Sequence, residues 1–246
     1  MSIPGQEFSF AEFAVQGDDG QMHMGGVLPR TTEIGGILLE RDGVPCSVPV
    51  WSPEASNDCP VIPRSQWKTT SDMRPYEWSN RYQNGYPACC LASLAGAIEF
   101  LLASRGRSKT KLDWFKAWRT LSGGRGGVAV DVALRMAMTD GFPLADGSGT
   151  IRIVEAWDSP TIDAFASGIL CGCTGIACHD VHAECVVGVN MSGTPSVHMV
   201  NSWYTDARNW HLFPVDKIEL RRYGAILIRE VEFRSVDAAG LVDAKE

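Results

Sequence analysis

QNGYPACCLASLAGAIEFLLAS, residues 83–104, decides how this chain folds. Leu91, Leu94, Ala95, Ile98, Leu101 and Leu102 recur at steps of three, one, three, three and one, which is helical periodicity. Pro87 stands just before this run and Gly106 just after it, where a helix tolerates them. The spacing predicts a helix from Cys89 to Ser104 with Cys89 in its first turn. A cysteine reacts as thiolate, and a helix N-terminus favours the thiolate through its dipole and unpaired amides. Cys90 is the second candidate, but one step along a helix turns a side chain by ~100°. By composition alone both would be core residues.

Working outward, a short aromatic helix is expected over 112–121. The glycine-rich loop SGGRGG at 122–127 follows, with Gly126 and Gly127 at its end. A third helix is expected from Val130 to Asp140, stopped by Gly141, and a fourth from Pro160 through Ser167. The pattern then changes to β-rich runs: ILCGCTGIAC, ECVVGVNM, SVHMVNSW and GAILIREVEF. Helices followed by strands predict an α+β fold of two packed halves. Residues 1–61 are rich in Gly, Pro and short apolar pieces and read as an N-terminal extension. The main domain is expected over 62–235, with a weakly structured tail at 236–246.

Composition narrows the function. The chain has 246 residues, enough to bury a sizeable core without disulfides or metal. Its net charge of −7 and its lack of basic runs with interleaved aromatics argue against a nucleic-acid partner. No apolar run approaches the ~20 residues needed to span a bilayer. The start, MSIPGQEFSFAEFAVQGDDG, lacks the basic and apolar regions of a secretory signal. The expected location is the cytosol, or a particle assembled there. Cys171, Cys173, Cys178 and Cys185 sit in runs that read as strands, so buried free cysteines are expected rather than a disulfide framework.

Of five histidines, His182 opens the apolar strand HAECVVGV, where a sheet can hold it at the edge of a cleft. Asn201 ends the strand SVHMVN. An amide there can accept the ring N–H and fix the tautomer without quenching a thiolate–imidazolium pair. Gln83, six residues before Cys89, could join the Cys89 N–H in stabilising an oxyanion.

These residues resemble the papain-like cysteine peptidases. That family shows a Gln, then the nucleophilic Cys six residues on, then His-Ala at a strand start, then Asn-Ser-Trp. Here the matches are QNGYPACCLASLAGAIE, HAECVVGV and VNSW. The upstream IPRSQW resembles the family's mature start, and SGGRGG its Gly-Gly substrate wall. The resemblance covers about residues 62–233. It implies a helical half carrying Cys89, packed against a β-rich, barrel-like half carrying His182 and Asn201, with a cleft between. It implies peptide hydrolysis through a Cys89 thioester, with His182 as base and acid and Asn201 as its orienter. It further implies that Gln83 helps form the oxyanion hole, Trp203 shields the His–Asn bond, and Gly126 and Gly127 hold substrate. No cofactor or metal is implied.

The chain departs from the family where Cys-Gly-Ser-Cys-Trp becomes PACC. Cys89 and His182 lie 93 residues apart, against ~130–150 in the plant and lysosomal enzymes. Both features are closer to compact bacterial and bacteriophage relatives. A non-catalytic subunit of a virus particle and a cell-wall peptide amidase therefore stand as alternatives. The spacing C-x-C-x₄-C-H over Cys171, Cys173, Cys178 and His179 does not match a zinc finger. Residues 1–61 contain no long amphipathic helix, so the extension is expected to pack outside the domain or bind assembly partners. On that expectation the cleft stays at least partly open.

Overall fold

The structure is a computed structural model, and it describes residues 14–16, 21–34, 36–41, 44–50, 60–70, 83, 85–107, 109–204 and 210–235. Five short strands come first: β1 (Ala14–Gln16), β2 (Met22–Met24), β3 (Val27–Leu28), β4 (Leu38–Arg41) and β5 (Val44–Ser47). Next are α1 (Cys89–Ser104), α2 (Trp114–Ser122), β6 (Val128–Ala129), α3 (Val130–Thr139), β7 (Phe142–Pro143) and β8 (Gly149–Asp158). The chain continues through α4 (Ile162–Leu170), β9 (Thr174–His179), β10 (His182–Asn190), β11 (Ser196–Val200), β12 (Trp210–Pro214) and β13 (Ala225–Ser235). The tail at 236–246 lies outside the described residues. No described helix is long and apolar enough to cross a membrane.

β12, β11, β10, β9, β13, β8 and β7 form, in that order, an antiparallel sheet. Successive side chains of a strand point to opposite faces, and β13 shows what each face meets. Ile226 and Ile228 join the core that contains α1, whereas Ala225 and Leu227 join the one that contains Phe165 of α4. α1 is therefore central. Every residue from Cys89 to Ala103 is buried, because α2 and α3 cover the side that the sheet does not. An all-round apolar helix is the sequence that suits such a position.

The helix bounds of α1 are those read from the sequence. Elsewhere the structure differs in instructive ways. The first residues of ILCGCTGIAC are not strand: Ile169 continues the buried face of α4 one turn beyond Phe165, and Gly172, with φ 88°, follows the helix end. Cys171 is disulfide-bonded rather than free, while Cys46, Cys89, Cys90, Cys173, Cys178 and Cys185 are free. β8 gave no clear strand signal because Arg152 and Glu155 interrupt its apolar residues. In the sheet Arg152 is paired with Glu232 of β13 at 2.7 Å.

The described residues between 27 and 48 are not an outer layer. Val27, Ile37, Leu39 and Val48 are buried in the same core as α1. Arg30 forms a buried ion pair with Asp158 at 2.5 Å, and Asp131 accepts hydrogen bonds from Thr31 and Thr32.

Candidate active site

Cys89 opens α1, and no side chain caps that helix. Its first-turn amides are therefore not claimed by a cap. The Cys89 sulfur accepts the Ala183 N–H at 3.4 Å, and Ser93 donates to the Ala183 carbonyl at 2.8 Å. These two bonds join α1 to β10 at the residue after His182. Helix start and strand start are thus held side by side although 93 residues separate them in sequence.

The His182 ring is oriented from two directions. Its Nε2 lies 2.9 Å from Asn201 Oδ1, and the same oxygen accepts the Trp203 N–H at 2.9 Å. An oxygen that already accepts a backbone N–H is the acceptor toward the ring as well, so Nε2 carries the proton. That leaves Nδ1 as the lone-pair nitrogen, and it is buried without a hydrogen-bond partner among the described residues. Trp203 stacks on the ring, with centroids 3.8 Å apart, and closes it from water.

Gln83 is tied to the same turn. It accepts from Ser202 Oγ at 2.6 Å, its N–H donates to the Ser202 carbonyl at 3.0 Å, and its Nε2 donates to the Tyr86 carbonyl at 2.5 Å. Asn201, Ser202 and Trp203 therefore each fix one part of the site. The role of Ser202 was not read from the sequence, since a lone serine inside Asn-Ser-Trp carries no signal of its own.

Burial sets the ionisation of the pair. It pushes the Cys89 thiol up to about 12, against backbone hydrogen bonds from Ala183 and Cys90 that favour the thiolate. Burial likewise pushes His182 down to about 3, against the charge of Glu184. Both groups are accordingly neutral in this form, one a thiol and the other an imidazole.

The chain's own N-terminal segment packs against the residues next to this buried pair, Pro87 and Val181, and here the expectation of a partly open cleft fails. Gly26 N–H and Val27 N–H donate to the carbonyl of Val181, which precedes His182, at 2.9 and 3.2 Å. The Gly26 carbonyl accepts the Val128 N–H at 2.8 Å, and β3 runs parallel to β6. A Cβ on Gly26 would overlap the backbone of Pro87, two residues before Cys89, and one on Gly25 would overlap the Val181 carbonyl. Two glycines are what lets a backbone pass between these walls. Gly127 meets Gly26 with no room for a side chain. Gly126 accepts the Trp118 indole N–H at 3.1 Å. His23 stacks on Trp203 at 5.1 Å. The Gly-Gly in MHMGGV was the available signal, but it reads equally well as a plain loop.

Glu184 carries no functional signal in the sequence. It is a charged residue inside the apolar run of β10, and it is fully buried. His179 and His211 each reach one of its oxygens at 2.6 Å. Cys178 points instead into the core with α1, so it and His179 lie on opposite sheet faces. Among the described residues no cluster is arranged to hold a metal ion.

The architecture is papain-like, and solved cysteine proteases resemble it. Procathepsin L2 from the larval midgut of Tenebrio molitor superposes with a TM-score of 0.59 and 12% identity, covering 84% of this chain and 78% of that one. Xylellain, a cysteine protease from Xylella fastidiosa, gives 0.54 and 11%, covering 83% and 95%. The ragweed pollen cysteine protease Amb a 11, in its proform, gives 0.55 and 12%, covering 68% and 67%. No family sequence profile matches the chain, and no curated protein sequence does. The likeness is therefore one of fold.

Proposed function

We propose that this protein is a cysteine peptidase, latent in the form described, whose residues 25–28 lie where a substrate peptide would lie. The observation that carries the reading is His182 Nδ1. A histidine kept only for packing would have both ring nitrogens satisfied, since buried polar groups are nearly always bonded. Here Asn201 fixes one nitrogen as donor, the other keeps a lone pair with no partner among the described residues, and the next residue, Ala183, donates its N–H to the Cys89 sulfur at 3.4 Å. Two further facts agree with it. The Gly127–Val128 wall already holds the backbone of Gly26, and two of the similar structures are of pro-enzymes.

In the working enzyme, His182 Nδ1 takes the Cys89 proton and the thiolate attacks the peptide carbonyl. The resulting oxyanion meets the Cys89 N–H and an N–H of Gln83. The intermediate collapses as Nδ1–H gives its proton to the leaving amine, which leaves a thioester. Water then loses a proton to Nδ1 and attacks the thioester. The acid product departs and the thiol is restored. No cofactor enters these steps.

Two substitutions test the assignment. With the cleft opened, Gln83→Ala is expected to lower kcat by about 10²-fold, the usual loss on removing an oxyanion donor. Asn201→Ala is expected to lower kcat while leaving the far-UV circular dichroism unchanged. Cleavage of casein or of a fluorogenic peptide library would report both. Full turnover in both variants would remove the proposed machinery.

A further inference from the structure

Asn201 orients the His182 ring but carries no charge to balance the one His182 acquires on protonation. A charge is present nearby. β10 puts Glu184 two residues beyond His182 on the same face, with its Oε1 4.0 Å from His182 Nε2. A carboxylate this deeply buried is tolerable only when paired or hydrogen-bonded. β9 and β12 supply that: His179 Nε2 meets Oε1 and His211 Nε2 meets Oε2, both at 2.6 Å. Phe213 stacks on the His179 ring at 4.2 Å and steadies it. Two neutral imidazoles can donate these hydrogen bonds, so the clamp holds the carboxylate without cancelling it.

We propose that Glu184, clamped by His179 and His211, is a positioning residue that supports the positive charge on His182. The inference rests on the cysteine-peptidase reading of the site. Burial alone would push the Glu184 carboxyl up, but the two histidine bonds outweigh it and keep the group ionised. For His182, Glu184 is the largest influence after burial. For Cys89 it ranks behind burial and two backbone hydrogen bonds, so the carboxylate acts more on the base than on the nucleophile.

The clamp is itself sensitive to pH. The groups around Glu184 are His179 of β9 with Asp180 3.5 Å from its Nδ1, His182 of β10, His211 of β12, and the thiols of Cys89, Cys178 and Cys185. Asp180 and Lys217 also line the cavity of about 300 Å³ beside them. Burial opposes protonation of His179, but Glu184 and Asp180 together raise it above its ordinary 6.5. As pH falls, His179 becomes charged and offsets Glu184. Support for His182 therefore weakens on the acid side.

The test is a histidine NMR titration in the full chain carrying Gly26→Val, to open the cleft, and Cys89→Ala, to remove the thiol. Adding Glu184→Gln is expected to lower the His182 pKa by ~1–3 units, the range for an opposite charge at this distance. Adding His179→Gln, which keeps a donor but cannot charge, is expected to raise it. An unchanged His182 titration in folded Glu184→Gln protein overturns the inference. If that variant does not fold, His179→Gln decides, and an unchanged titration there overturns it equally. No substrate is cleaved in this experiment. A peptidase assay on the Gly26→Val protein with its cysteine intact judges the parent reading separately.

Discussion

Replacing Gly26 by valine is expected to raise the rate at which iodoacetamide alkylates Cys89 at pH 7 by about 10³-fold. A Cβ at position 26 has nowhere to go but into the backbone of Pro87, so the segment must leave the slot. With residues 25–28 taken as the cover over Cys89, their departure removes the burial that holds its thiol at about 12 instead of its ordinary 9.0. Three units nearer neutrality mean about 10³ times more thiolate at pH 7, and the thiolate is the reacting species. The rest of the segment should stay anchored by the Arg30–Asp158 pair and the Thr31 and Thr32 bonds to Asp131. Circular dichroism and Tm would confirm the fold. An unchanged rate in folded protein would mean that residues 25–28 do not guard the site. Deleting the first 60 residues would be a poorer test. Val27, Ile37, Leu39 and Val48 are buried in the main core, and such a chain is expected to be unstable.

In the Gly26→Val background, Cys89→Ser is expected to lower peptide cleavage by about 10⁴-fold or more while leaving the Tm within a few degrees. Serine nearly preserves the shape at a wholly buried position, so packing survives. It does not preserve the chemistry, because a hydroxyl is far harder to ionise than a thiol. Residues that act as one unit lose most of their effect when any one of them is removed. His182→Ala should therefore cost nearly as much, and the double variant scarcely more. Casein digestion followed by gel and by mass spectrometry would read all three. Undiminished cleavage in Cys89→Ser would place the chemistry elsewhere.

The parts of this protein legible in its sequence are those whose signal is local or rests on known motif order. The helix at 89–104 is readable because its periodicity and its Pro and Gly boundaries lie in one run. Cys89, His182 and Asn201 are readable because each opens or ends an element that the pattern already marks. The parts that were not legible depend on distant residues meeting. Glu184 looks like an interruption of an apolar strand until His179 and His211 arrive from the neighbouring strands. Gly25 and Gly26 look like a loop until Pro87 and Val181 close on either side of them. Ser202 has meaning only once Gln83 lies against it. Residues 27–48 read as an extension because their strands are too short to show a period, although four of their side chains complete the core.

The central claim is that helix start, imidazole and amide make Cys89 the reactive thiol of this chain. The most direct test is to treat the Gly26→Val protein with limiting iodoacetamide at pH 7 and map the adducts by mass spectrometry. Exposure alone favours Cys46, the half-buried one among the described free cysteines, since the others are buried. The account predicts that Cys89 is modified first and that His182→Ala removes its advantage over Cys46. Modification of Cys46 first, with Cys89 left intact, or an advantage of Cys89 that survives His182→Ala, would contradict it.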